Sequence, residues 1–291
     1  MIKKQILQTQ KSAYNYRKLL TNNILTVIMK SKQRKGLLKM IISFTNQKGG
    51  VGKTTSAVNI AATVAAMDKK VLLLDLDPQG NASTGVGLMD RSSLSSSYNV
   101  LCDGLSVSDA IYHTEFKNLD IIPSSIDLAG AELEIAEYDS RERILKGALS
   151  VVKDNYDYIF IDCPPALGLL TVNALVASDG VVIPCPCEFY ALEGLVQLTN
   201  TIEAIKEYQN PDLQIIGLLI TMYNSRLNLT QTILNDLHSH YGNLVFKNRI
   251  ARNVRLTEAP AYGTPVIYLD KFSKGAQNYM AVAKELLDRT E

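Results

Sequence analysis

Hydrophobic and polar positions from residue 40 onward follow two alternating patterns. Short unbroken apolar runs recur at Met40 to Thr45, Val71 to Leu74, Leu119 to Ile122, Tyr158 to Ile161, Gly180 to Pro184 and Ile215 to Met222. These runs do not alternate apolar with polar residues, so they read as strands covered on both faces. Between them, apolar residues return every three or four positions. One such helical pattern starts near Lys53 and continues through Ala57, Ile60, Ala61 and Val64. Others cover 127–138, 141–152, about 190–208, 228–240 and 274–289. Residues 80–100 are rich in Gly, Ser and Asn and read as loop or short helix. Strands that alternate with helices predict an α/β fold: a doubly wound, mostly parallel sheet with helices on both faces. Ligands of such sheets bind at the carboxyl ends of the strands.

Composition adds a split that the average conceals. The 291 residues are 46% hydrophobic, enough for a large core, which excludes a disordered chain and a disulfide-stapled miniprotein. No run reaches 18 apolar residues, which argues against a spanning helix. The net charge of +1 combines +10 over residues 1–40 with −9 over 41–291, where 20 basic residues face 29 acidic ones. Residues 1–40 are therefore read as a basic N-terminal extension and 41–291 as one domain. The extension is either a disordered arm that adds sequence-independent DNA affinity or a start-site artefact, with translation from Met29 or Met40. It has no signal-peptide core, so a cytoplasmic location is expected. Cys163 and Cys185 border apolar runs and read as core residues. Cys185-Pro-Cys187 lacks the second pair that a metal site would need.

The chemistry gathers after the first strand. Gln47-Lys48-Gly49-Gly50-Val51-Gly52-Lys53-Thr54 matches the phosphate-loop pattern except at its first position, where Gln47 replaces Gly. Three glycines let backbone N–H groups turn inward around phosphate oxygens, and the following helix points its positive end at the same anion. Lys53 would neutralise the β- and γ-phosphates, and the Thr54 hydroxyl would ligate Mg²⁺. Asp77 and Asp162 also follow strands, so one site can collect all of these groups. Lys48 is a second lysine inside the loop. If it points away from its own nucleotide, it can reach that of a second subunit and stabilise transition-state charge there.

Lys48 to Thr55 forms the deviant Walker A motif of P-loop NTPases. Together with Asp75-Leu76-Asp77-Pro78-Gln79-Gly80-Asn81, Asp162-Cys163-Pro164-Pro165 and Asn253 to Pro260, it resembles the ParA/Soj partition ATPases, in the short form without an N-terminal helix-turn-helix domain. The resemblance covers about 41–291. It implies a P-loop NTPase-type sheet and a slow ATPase that forms an ATP-sandwich homodimer. It also implies nonspecific binding of double-stranded DNA and release through hydrolysis stimulated by a ParB-like activator. Lys48 would contact the partner's ATP, and Gly49 and Gly50 would let the two loops approach. Val51, Gly52, Lys53, Thr54 and Thr55 complete the ATP loop. Asp77 would orient the attacking water, and Asp162 would hold Mg²⁺ through water. Thr54, Asp77 and Asp162 form the implied Mg²⁺ set, and Lys48, Lys53 and Asp77 the catalytic set. The protein would associate with the bacterial nucleoid, not a membrane.

An acidic body needs a local basic patch to hold DNA. Residues 241–275 carry Lys247, Arg249, Arg252, Arg255, Lys271 and Lys274 against Glu258 and Asp270, a balance of +4. The resemblance places Arg226, Arg252 and Arg255 on the DNA face, and Ala251 stands where the family often has proline. Two alternatives share the loop: a MinD-like, membrane-cycling ATPase of the division site, and a metabolic ATP-dependent ligase. The first needs a basic amphipathic C-terminal helix, whereas this chain ends in mixed charge at Lys284 to Glu291. The second would need a substrate module that the sequence does not show.

Overall fold

The computed structural model describes residues 39–188 and 191–291. The expected N-terminal extension lies outside the described residues, apart from its last two positions. Seven strands form one sheet: β1 (Met40–Phe44), β2 (Val71–Asp75), β3 (Tyr112–His113), β4 (Leu119–Ile122), β5 (Tyr158–Asp162), β6 (Gly180–Pro186) and β7 (Gln214–Thr221). Their order is β3-β4-β2-β5-β1-β6-β7, and every pairing is parallel except β3 with β4. The helices before β5 are α1 (Lys53–Ala66), α2 (Asn81–Gly85), α3 (Ser97–Cys102), α4 (Leu128–Ile135) and α5 (Ile144–Ser150). Those after it are α6 (Leu169–Ala177), α7 (Ala191–Tyr208), α8 (Asn228–Tyr241), α9 (Val254–Glu258), α10 (Val266–Leu269) and α11 (Lys274–Thr290).

Successive strand residues point to opposite faces. Ile42, Phe44, Leu73 and Phe160 pack against α1 and α11, where they meet Ala57, Ile60, Ala61, Val64, Tyr279, Val282 and Leu286. Ile41, Leu72, Leu74, Ile159 and Ile161 face the other side, towards Leu101, Leu128, Leu145 and Leu170. A third cluster covers β6 and β7 with α7 and α8, through Leu195, Leu198, Ile202, Leu234 and Leu237. This double covering explains why the strands read as continuous apolar runs. β1 lies inside the sheet, between β5 and β6, so the chain leaving it enters the crevice at the carboxyl edge.

Two local details differ from the sequence pattern, and a third, the 80–100 segment, agrees with it. β3 is only two residues long and leaves no apolar run to read. Residues 80–100 resolve into α2 and α3 with loop between them. The 127–138 and 141–152 helices are shorter than their apolar spacing suggests, because the chain turns between them with Ser140 at a φ of 56°.

α11 closes the domain. Its Ala276, Tyr279, Val282, Ala283 and Leu286 are buried against the sheet, so its apolar face is already used within the fold. No helix among the described residues is long and apolar enough to cross a membrane. Arg289 lies over the Phe246 ring at 4.2 Å and donates to the carbonyls of Ile216 at 2.9 Å and Val245 at 3.0 Å. Glu285 accepts from the amides of Lys247 at 2.8 Å and Asn248 at 2.9 Å and from Arg289 Nη2 at 2.8 Å. Burial tends to raise the Glu285 pKa, but these bonds outweigh it and hold the group below 4.5. A depressed carboxylate stabilises the fold above its unfolded pKa, and this is lost as pH falls through the folded value. Glu285→Ala should therefore lower the unfolding free energy by about 1–3 kcal/mol at neutral pH. In chemical denaturation at several pH values, the gap to the parent should shrink as pH falls below 4.5.

Candidate nucleotide-binding site

The glycine loop is braced by its own residues. Asn46 donates from Nδ2 to the Pro184 carbonyl at 2.8 Å, and its Oδ1 accepts from the Lys48 amide at 3.1 Å. Gly50 and Gly52 hold φ values of 72° and 90°, a region that strains any residue with a Cβ. Val51 is buried, and its carbonyl accepts from Thr221 Oγ1 at 2.8 Å. Gly49 and Gly50 stay exposed at the tip. α1 begins at Lys53 without a side-chain cap, so its first-turn N–H groups are open to an anion. Lys53 is only 6% exposed, and its Nζ curls back to the Lys48 carbonyl at 3.2 Å. Burial lowers its pKa from the ordinary 10.5, against an opposing pull from Asp162 and Asp77.

The aspartates reach the same edge through strand register. The parallel β2–β5 ladder sets Asp75 opposite Asp162, and the β1–β5 ladder sets Phe44 opposite Asp162. Both aspartates are fully buried. Ser83 donates to Asp75 Oδ2 from its amide at 2.8 Å and its hydroxyl at 2.7 Å. Even so, burial pushes the Asp75 pKa up to about 6. Neither Asp162 oxygen has a hydrogen-bond partner of good geometry, although the Thr54 hydroxyl stands close enough to favour the charged form. Burial first, then Asp75, raises the Asp162 pKa well above the usual carboxylate range. Asp77 is 8% exposed; its Oδ1 accepts from the Gln79 amide at 3.0 Å, and the Ser124 hydroxyl bonds its carbonyl.

Two orphaned carboxylate oxygens beside a threonine hydroxyl are a hard-donor set that fits Mg²⁺. No group of three or more His, Cys, Asp or Glu among the described residues forms a metal cage. Mg²⁺ suits such a site, because it retains waters and takes substrate phosphates as further ligands.

Lys48 is placed differently from the other loop residues. It is half-exposed, and its Nζ lies 2.7 Å from Glu188 Oε2. The lysine is held by a carboxylate of its own chain. Beside the loop opens a cavity of about 550 Å³, whose lining includes Gly52, Thr55, Thr221, Met222, Asn253 and Pro260. That volume is ordinary for a small-molecule site. The sequence reading assigned no role to Asp75, Glu188 or the cavity wall. The Asp-Leu-Asp spacing was the available signal for Asp75; no local pattern marks Glu188.

The expected basic face is partly assembled. Tyr223 and Ala251 form a parallel backbone bridge, so the segment carrying Arg226 lies beside the one carrying Arg252. Both arginines are exposed, and Arg252 also lines the cavity. Arg255, on α9, forms ion pairs with Glu258 at 2.9 Å and Asp270 at 3.4 Å. Arg249 is half-buried over the Tyr223 ring, 5.0 Å from its centroid, so it contributes packing more than surface charge. The Ala251 amide donates to Asn278 Oδ1 at 3.1 Å, a bond that a proline at this position could not make.

A glycine loop between strand and helix, with a buried lysine and strand-end aspartates, defines a P-loop nucleoside triphosphatase. Residues 39–215 match the family model described as an AAA domain. The chain is 52% identical to the sporulation initiation inhibitor protein Soj of Bacillus subtilis, over 84% of this chain and 97% of that protein. It is 46% identical to the chromosome partitioning protein ParA of Myxococcus xanthus, over 86% of this chain and 88% of that protein. A cobyrinic acid a,c-diamide synthase from Mycobacterium smegmatis, solved with an ATP analogue and magnesium, superposes with a TM-score of 0.74. It is 36% identical, covering 85% of this chain and 94% of the solved one. The chain belongs to the ParA/Soj family of partition ATPases.

The orphaned Asp162 carboxylate gives a two-sided test. Asp162→Asn should raise the thermal midpoint of the nucleotide-free protein, because it removes a buried acid whose carboxylate oxygens lack hydrogen-bond partners. The same variant should lose the Mg²⁺-dependent rise in midpoint that nucleotide produces in the parent. A midpoint that still responds to Mg²⁺ would exclude Asp162 as a metal holder.

Proposed function

We propose that the chain is a cytoplasmic, nucleoid-associated ATPase that partitions DNA, chromosomal or plasmid-borne. It binds Mg-ATP at the glycine loop, closes into a homodimer and grips duplex DNA without sequence preference. It lets go when a ParB-like activator speeds hydrolysis. The observation that carries this reading is the convergence of Lys53, Thr54, Asp77 and the unpartnered Asp162 beside a loop of open backbone N–H groups.

Each residue has a distinct task. The amides of Gly49 to Thr55 cradle phosphate oxygens, and Lys53 balances charge on the β- and γ-phosphates. Thr54 and Asp162 supply the protein side of a magnesium site, and Mg²⁺, when bound, neutralises charge that develops on the phosphates. Asp77 orients the attacking water. The adenosine takes the cavity bounded by Thr221, Met222 and Pro260. Lys48 reaches the nucleotide of the second subunit. To do so it leaves Glu188, and an exposed pair of this kind is worth only about 0–1 kcal/mol. The exchange is therefore cheap beside a phosphate, where a cation at a water-excluded site is much more strongly held.

Slow turnover follows from the same geometry. Phosphoryl transfer depends on positioning and charge neutralisation, and part of that charge must arrive from another subunit. Residues 1–40 are proposed as an extension separate from this ATPase domain.

Asp77→Ala should keep ATP-driven dimers, seen by light scattering, while the rate of phosphate release falls by about 10²-fold or more. Turnover at the parent's rate would remove Asp77 from the mechanism. Lys53→Ala should abolish nucleotide binding in calorimetry. Arg226→Glu should weaken binding to duplexes of unrelated sequence by at least about tenfold, with a shallower salt dependence. Unchanged affinity would move the DNA face elsewhere.

A further inference from the structure

Arg255 differs from the other two arginines of the basic face. Arg226 and Arg252 form no ion pair among the described residues, whereas Arg255 is held by two carboxylates from different elements. Glu258 Oε2 meets Nη1 at 2.9 Å from one turn further along α9. Asp270 Oδ2 meets Nε at 3.4 Å from the loop before α11. The guanidinium is about half-exposed, so solvent and other anions can reach it. α9 is itself fixed in place. Leu256 packs against Gly275 so closely that a Cβ there would lie 2.8 Å from Leu256 Cγ. Asp270 Oδ1 accepts from the amides of Phe272 and Ser273 at 3.1 Å each, which holds that carboxylate beside Arg255. Meanwhile Val254, Leu256 and Thr257 of the same helix line the nucleotide cavity.

We propose that Glu258 and Asp270 are built-in competitors of DNA phosphate for Arg255, and that they set how weakly the basic face grips DNA. The inference rests on the reading of Arg255 as a DNA contact. A phosphate diester and a carboxylate offer a guanidinium the same paired oxygen acceptors, so they compete for one set of N–H groups. Arg255 with its two carboxylates carries a local charge of −1, which repels a phosphate until the ion pairs open. Exposed ion pairs are weak, so the competition lowers affinity without abolishing it. A protein that must release DNA after each hydrolysis gains from such a limit. The limit sits on the helix that lines the nucleotide cavity.

Isosteric variants test this without disturbing the fold. Asp270→Asn keeps Oδ1 as acceptor for Phe272 and Ser273, and Glu258→Gln keeps the side-chain length. The full chain, loaded with a non-hydrolysable ATP analogue, is titrated against a labelled duplex of arbitrary sequence at several salt concentrations. The double variant Glu258→Gln/Asp270→Asn should bind about three- to tenfold more tightly than the parent. The gain should disappear in an Arg255→Ala background. An unchanged affinity would overturn the inference, and so would an equal gain without Arg255, which would mean general repulsion of DNA by the two acids. If Arg255→Ala alone binds as the parent does, the DNA role of Arg255 fails first. If that variant loses affinity while the isosteric pair changes nothing, only the competition fails.

Discussion

Asp75 and Asp162 face one another across two hydrogen-bonded strands, fully buried, with Asp77 two residues beyond and Lys53 buried with them as the one such ammonium among the described residues. Three carboxylates and one ammonium leave this edge short of positive charge. The Ser83 donors relieve part of the strain at Asp75, and burial raises the pKa of both Asp75 and Asp162. The orphaned Asp162 oxygens would hold a divalent cation, which would supply the missing positive charge beside a bound triphosphate. The empty protein is thus a poor electrostatic solution and the loaded one a better solution, so nucleotide binding can drive a change of state. The strands that impose this constraint also set the glycine loop beside it, because β1 lies between β5 and β6.

The remaining cations are arranged around that centre at increasing distance. Lys53 is buried within its own loop, with its Nζ on the Lys48 carbonyl. Lys48 is outside, half-exposed and paired with Glu188. Arg252 lines the nucleotide cavity from the rim, and Arg226 and Arg255 lie beyond it on adjoining segments. Nucleotide, second subunit and DNA would therefore engage neighbouring parts of one edge. Under the proposed DNA binding, the −9 charge of residues 41–291 requires the contacts to be local.

The architecture was legible because its cause is local. Fully covered parallel strands leave unbroken apolar runs, and the phosphate loop needs glycines and a lysine at fixed spacing. Lys48, Lys53 and Thr54 stand out by that spacing, Asp77 and Asp162 by following strands, and the structure sets Lys53, Asp77 and Asp162 at one edge. What the sequence concealed depends on register and distant contacts. Asp75 matters because β2 pairs with β5 in the register that puts it opposite Asp162. Glu188 lies 140 residues from the lysine it holds. Arg249 counted as surface charge until its ring contact with Tyr223 placed it among packed groups. The two acids that neutralise Arg255 were counted in the patch balance, but a sum of charges does not show which arginine they touch.

The measurement that bears most directly on the central claim is the steady-state ATPase rate. It is taken with duplex DNA alone, with the ParB-like activator alone, and with both. A nucleotide edge shared with a second subunit and a DNA face predicts a slow basal rate, modest effects of either addition, and a large joint stimulation. A rate that is already fast, or that DNA and activator leave unchanged in combination, would contradict the account.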